Sequence, residues 1–146
     1  MEFKELVDDF AARHGVSGLT VEDDAAAMDI DGIVVTLVAA GDAISISADI
    51  GEPPSEGREE FSDLLLEANM QADAFFAKAP DGGAYVLVRR LALPMLDPGS
   101  FDAALEALVN MAETWRRLLA DFRPVAKAAA ERTEEPSFGT ADFMQV

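Results

Sequence analysis

AAMDIDGIVVTLVAAGDAISISADI, residues 26–50, is the stretch on which the fold turns. Its last third is the clearest. Ile44, Ile46, Ala48 and Ile50 alternate with Ser45, Ser47 and Asp49, the period of a strand with one face buried and one wet. Upstream, Ala26, Met28 and Ile30 alternate with Ala27, Asp29 and Asp31 in the same way. Asp31-Gly32 between the runs is a two-residue hairpin signal, because both residues tolerate positive φ. Ile33 to Ala39 is apolar at both parities except for Thr36 and predicts a central strand. Ala40-Gly41-Asp42 turns the chain. Three strands joined by short turns predict an antiparallel meander.

Working outward, the N-terminal side has the other periodicity. Phe3, Leu6, Val7 and Phe10 recur at steps of three and four, so Glu2 to His14 predicts an amphipathic helix. Gly15 stops it, with His14 favourably placed at the helix C-terminus. On the C-terminal side Pro53-Pro54 breaks the sheet, and Ser55 is a candidate cap for a helix from Arg58 to about Asn69. Phe61, Leu64, Leu65 and Ala68 form its stripe. Leu66 and Met70 fall outside that stripe, and so wide an apolar face implies contact on two sides. Pro80-Asp81-Gly82-Gly83 separates two apolar runs, Ala72 to Ala79 and Ala84 to Leu93, and predicts a β-hairpin. Phe75 and Phe76 must face opposite ways, as must Arg89 and Arg90. Asp97 or Ser100 caps a long helix over about Phe101 to Phe122. Its stripe is Phe101, Leu105, Leu108, Ala112, Trp115, Leu119 and Phe122. Residues 123–146 lack a sustained stripe, contain Pro124, Pro136 and Gly139, and predict a mobile tail in which Phe138, Phe143 and Met144 are the docking candidates. The fold class is therefore α+β: helix, three-stranded antiparallel meander, helix, β-hairpin, long C-terminal helix, in one domain of residues 1–122.

Charge and composition narrow the function. Half of the residues are hydrophobic, enough for a core. Asp and Glu number 28 against 11 Lys and Arg, a formal charge of −17. Such a surface repels phosphate backbones and anionic lipids, which argues against nucleic-acid binding and membrane insertion. It favours solubility and basic partners. Cysteine is absent, so disulfides, thiolate nucleophiles and Cys-ligated zinc are excluded. The start of the chain lacks the basic and apolar regions of a signal peptide, and no apolar run nears the roughly 18 residues of a spanning helix. The expected location is cytoplasmic.

Catalytic chemistry finds little support. His14 is the single histidine, at a helix end with no evident nucleophile beside it. No phosphate-binding glycine loop is present. Carboxylate pairs such as Asp29 with Asp31, and the run Glu22-Asp23-Asp24, lack the spacing of a calcium loop. The expectation is a protein without catalytic residues, cofactor or metal that acts by binding another protein.

The element order resembles the class I chaperones of type III secretion, the Tir-chaperone (CesT-like) family. Leu64-Leu65-Leu66-Glu67-Ala68-Asn69 is similar to that family's Leu-Leu-x-x-Asn segment at the end of the second helix. The Asp81-Gly82-Gly83 turn, the apolar strand Tyr85 to Leu91 and Ala112-Glu113-Thr114-Trp115 in the last helix follow at the family's intervals. The ending Phe143-Met144-Gln145-Val146 is similar to that of some members, although Gln145 stands where those often carry Arg. The resemblance covers about residues 1–122. It implies a homodimer that binds the N-terminal region of a secreted effector and keeps it soluble and secretion-competent. Some members instead sequester an anti-activator and couple secretion to transcription. A small carboxylate or metal-binding enzyme is the alternative of another class, and a protein of this fold unrelated to secretion is a further one.

Two sets of residues follow. The resembled family pairs through its second helix and adjoining strands, which nominates Leu65, Leu66, Met70, Phe75 and Phe76 for the dimer interface. A threadable cargo must be extended, and an extended segment satisfies its backbone by adding to a sheet edge. That nominates Phe3, Val7 and Phe10 on the first helix, with Met28, Ile30 and Val34 on the adjoining strands, for effector binding. As ordinary core, the same six would be buried.

Overall fold

The computed structural model describes residues 2–80 and 83–124. The chain forms α1 (Phe3–His14), β1 (Ser17–Val21), β2 (Ala25–Ile30), β3 (Ile33–Ala40) and β4 (Ala43–Gly51), followed by α2 (Arg58–Ala68), β5 (Phe75–Lys78), β6 (Tyr85–Ala92), a short 3-10 turn (Leu93–Met95) and α3 (Pro98–Ala120). The α+β class and the element order match the sequence expectation, with two differences. The meander has four strands rather than three, and the hairpin is not separate. β6 pairs antiparallel with β4, giving one six-stranded sheet in the order β1-β2-β3-β4-β6-β5.

β1 escapes the pattern rule for a local reason. Gly18 has φ +63°, the register shifts between Ser17 and Thr20, and four of the five residues are exposed. A bulged edge strand without alternating burial leaves no period-two trace. The Asp31-Gly32 turn forms as expected. Asp31 (φ 53°) and Gly32 (φ 86°) both have positive φ, and the Asp29 carboxylate accepts from the Gly32 amide at 2.8 Å.

The register puts Met28, Val35, Leu37, Ile44, Ile46, Ala48 and Leu87 on one face of the sheet, all at or near zero exposure. α1 covers that face with Phe3, Leu6, Val7 and Phe10, and α3 with Phe101, Leu105, Leu108, Val109 and Ala112. α3 starts earlier than its stripe implies, at Pro98. Asp97 is the cap, its carboxylate accepting from the Ser100 amide at 2.7 Å. Ser55 is not a cap, since α2 starts after Gly57, whose φ is +75°. A Cβ there would stand 2.9 Å from both Phe122 Cε2 and Pro124 Cγ, so the close approach also requires glycine.

No described helix lies over the other face of the sheet. Val34 and Val38 on β3 are each 44% exposed. β3 is central in pairing, as expected, but one face of it meets solvent rather than a second layer. Arg90 takes this outer face, with its guanidinium 5.7 Å from the Phe75 ring centroid. Arg89 takes the inner face, half-buried near Asp73 and Met111. The mobile-tail expectation, from residue 125 onward, and the Asp81-Gly82 turn residues lie outside the described residues.

Asn69 explains why the end of α2 has the sequence it has. Its Oδ1 accepts from the Phe76 amide at 2.6 Å, and its Nδ2 donates to the Phe76 carbonyl at 3.4 Å. The side-chain amide thus pairs with β5 as a neighbouring strand would. Asn69→Ala removes the partners of both the Phe76 N–H and the Phe76 carbonyl, which are part-buried. The expected cost is about 1–3 kcal/mol, read as a lower urea midpoint at unchanged m-value. An unchanged midpoint would mean that water replaces the amide at no cost.

Candidate functional site

Partner-binding surfaces can be read from what the fold leaves uncovered. Buried polar side chains are absent among the described residues, as are groups of three or more His, Asp or Glu able to hold a metal ion. No described helix is long and apolar enough to cross a membrane. Three surfaces with apolar residues stand out among the described residues.

The first lies on α2 and β5, at one end of the strand order. Leu64 is 43%, Leu66 64% and Met70 86% exposed. Beneath them Leu65 and Phe76 are buried, and Phe75 is half-buried on the opposite face of β5. Leu65, Leu66, Asn69, Phe76, Ala77 and Tyr85 line a shallow cavity of about 290 Å³. Of the residues expected at a dimer interface, Leu66 and Met70 are thus accessible, and Leu65 and Phe76 form the floor. The helix is anchored from behind. The Phe61 ring packs on Tyr85, Trp115 and Phe122 at centroid distances of 5.5, 6.1 and 5.1 Å, and Ser62 Oγ lies 3.0 Å from the Tyr85 hydroxyl.

The second surface is the outer sheet face together with the β1 edge. Cross-strand pairing aligns Thr20, Ala27, Thr36, Ser47, Val88 and Phe75 in one row, with Val34 and Val38 on either side of Thr36. From Thr20 to Val88 these side chains are small or β-branched, so that part of the face is flat, and Phe75 with Arg90 closes it at the β5 end. Among the described residues β1 pairs only with β2, which leaves its other side as an edge without a described neighbour.

The six residues expected to bind an effector divide accordingly. Phe3, Val7, Phe10 and Met28 are buried in the core, at 5%, 0%, 5% and 1% exposure. Ile30 is half-buried, and Val34 is exposed on the outer face. The structure therefore does not gather the six into one accessible patch. Leu19, at 37% on the β1 edge, and Val38 are accessible apolar residues that the sequence reading passed over.

The third surface is a cavity of about 410 Å³ between the end of α1, the β2–β3 turn and the first turns of α3. An ion-pair cluster spans α1 and α3 beside it. Arg13 donates to both Asp102 oxygens, one bond measuring 2.8 Å, and also to Asp9. His14 Nε2 lies 3.3 Å from Asp102, and its ring packs on Phe10 at 4.4 Å. The Arg13 guanidinium holds the Asp102 carboxyl below the usual carboxylate range, with His14 acting in the same direction. His14 is a surface residue, as expected, but it is engaged with a residue of another helix.

A family model described as the Tir chaperone protein (CesT) family matches residues 5–116. No curated protein matches the sequence. Among solved structures, a chain of the ExsC–ExsE complex is 24% identical with a TM-score of 0.68, covering 82% of this chain and 97% of that one. A chain of the HopA1–SchA chaperone–effector complex is 17% identical with a TM-score of 0.64, covering 79% and 93%. A chain from the complex of the Yersinia pestis type III secretion chaperone SycH with a fragment of YscM2 is 20% identical with a TM-score of 0.58, covering 76% and 97%.

Proposed function

The chain belongs to the Tir chaperone protein (CesT) family, and we propose on that footing that it is a type III secretion chaperone. It binds the N-terminal region of a secreted effector and keeps that region soluble and extended for export. The observation that carries this reading is the family match over residues 5–116. The exposed apolar surfaces support the following way of working.

The cargo segment adds to the β1 edge and lies across the outer face, over Val34 and Val38. Main-chain hydrogen bonds to an edge do not depend on cargo sequence, and alternate side chains supply the selection. Ile30 borders this region, while Phe3, Val7, Phe10 and Met28 stiffen the sheet from behind. Two copies pair through α2 and β5, with Leu66 close to its own symmetry mate. β1 and β5 are the two ends of the strand order, so cargo and partner copy do not compete for one edge. No chemistry is required of the protein, which acts by holding, without cofactor or catalytic group. The net charge of −17 speeds encounter with basic cargo segments, an effect that weakens as salt rises.

The test is co-purification from the native host, followed by limited proteolysis of the complex. The expected partner is a secreted protein whose N-terminal segment alone remains bound after digestion. A partner that stays in the cell and governs transcription would point instead to the anti-activator-sequestering adaptor. A bound globular domain would contradict the extended mode. The outer face is tested by Val34→Asn with Val38→Asp; asparagine is used at the first position because Asp29 sits directly opposite. Both sites are exposed, so the fold is retained, and cargo affinity falls about tenfold or more as two apolar contacts are lost. Unchanged affinity would move the cargo off this face.

A further inference from the structure

The cavity at the end of α1 is built differently from the other two surfaces. Its floor is apolar, formed by Phe10, Val16, Ile30, Leu105 and Val109. Its rim carries the carboxylates Asp31, Asp102 and Glu106. Asp102 is committed to Arg13. Asp31 and Glu106 make no ion pair among the described residues, and both are exposed. The lining residues His14 and Gly15 mark the C-terminus of the twelve-residue α1, whose dipole adds partial negative charge at the same mouth. A hydrophobic floor under a negative rim matches one kind of side chain, a long apolar stem ending in a cation.

From this we infer that the cavity seats an arginine or lysine side chain of the bound cargo segment. The inference rests on the secretion-chaperone reading and adds a selection rule to it. Position supports the assignment. Val16, on the cavity floor, immediately precedes β1, and Ile30, also on the floor, ends β2. A strand added to β1 would run past Ser17, and a long side chain near that end reaches the cavity mouth. The stem lies on Phe10 and Leu105, and the head meets Asp31 and Glu106. Arginine is favoured over lysine where both carboxylates are engaged, because its planar fork presents donors to two acceptors at once. Two chemically matched variants leave the fold in place. Asp31 sits at φ 53°, a conformation asparagine also tolerates, so Asp31→Asn keeps the turn. Glu106→Gln keeps a good helix former on α3.

The experiment uses the full chain, isotope-labelled, and the probe peptide acetyl-Thr-Val-Arg-Val-Thr-amide. Its control has citrulline in place of arginine, which keeps the shape and removes the charge. The arginine peptide should shift the amides of Gly15, Val16, Ile30, Asp31 and Glu106. The citrulline peptide should bind about fivefold more weakly, and the double variant D31N/E106Q should lose the same factor for arginine and nothing for citrulline. Added salt should shrink the difference. Equal binding of the two peptides, or shifts elsewhere only, would overturn the inference. So would displacement of these same amides when residues 125–146 are removed, since the chain's own tail would then be the occupant, and so would a change of oligomeric state in the double variant, which would make it a second copy. Because the probe is synthetic, failure here leaves the chaperone reading standing, and that reading fails only on the co-purification result.

Discussion

Phe61→Ala unfolds the protein at a urea concentration well below that of the wild type, with a loss of about 3–5 kcal/mol. Phe61 is 1% exposed and fully enclosed. Its ring contacts Tyr85 from the sheet, Trp115 from α3 and Phe122 just beyond α3, two of them edge to face. Truncation opens a cavity walled by three large rings that cannot close around a methyl group. It also removes the main apolar anchor of α2, because Leu65 is the other buried residue of that helix. The proposed pairing of two copies through α2 should weaken with it. Denaturation at several protein concentrations separates the intrinsic loss from the coupled one. A loss below about 1 kcal/mol would mean that α2 is held by other contacts.

Leu66→Asp with Met70→Asp should have the opposite profile. At 64% and 86% exposure, neither side chain supports the fold of one copy. In the proposed dimer each is buried where a second copy packs on α2. Carboxylates there lose the apolar contact and add like charges facing each other across a two-fold axis. The dimer dissociation constant should rise at least about a hundredfold, equivalent to about 2.7 kcal/mol. Sedimentation at micromolar concentration should then give a 15.6 kDa species with an unchanged circular dichroism spectrum. A variant that still sediments as a dimer would place the interface elsewhere, and a monomeric wild type would remove it altogether.

How far the sequence could be read depended on whether the information was local. β4 was legible because Ile44, Ile46, Ala48 and Ile50 bury on one side while Ser45, Ser47 and Asp49 stay off it, and the helix stripes were legible for the same reason. β1 was not, because Gly18 and its bulge erase alternation. The outer face was hidden for a different reason. Val34 and Val38 read as buried by composition, and only the layer count reveals that no described element covers them. The nominated binding residues Phe3, Val7, Phe10 and Met28 show the limit of periodicity, since the spacing that drew attention to them is the spacing that builds a core. Asn69 was visible as part of a family-like segment, but its pairing with Phe76 needed the turn between α2 and β5. The Arg13–Asp102 cluster joins residues 89 apart in sequence, and no pattern in the chain links them.

The central claim is that this protein serves the export of particular cargo. The most direct measurement compares proteins secreted into the medium by the native host with and without the chain, under conditions that activate type III secretion. One secreted protein, or a small set, should disappear from the medium while other substrates of the same machine continue to be exported, and the wild-type chain should restore it. An unchanged set of secreted proteins would contradict the account.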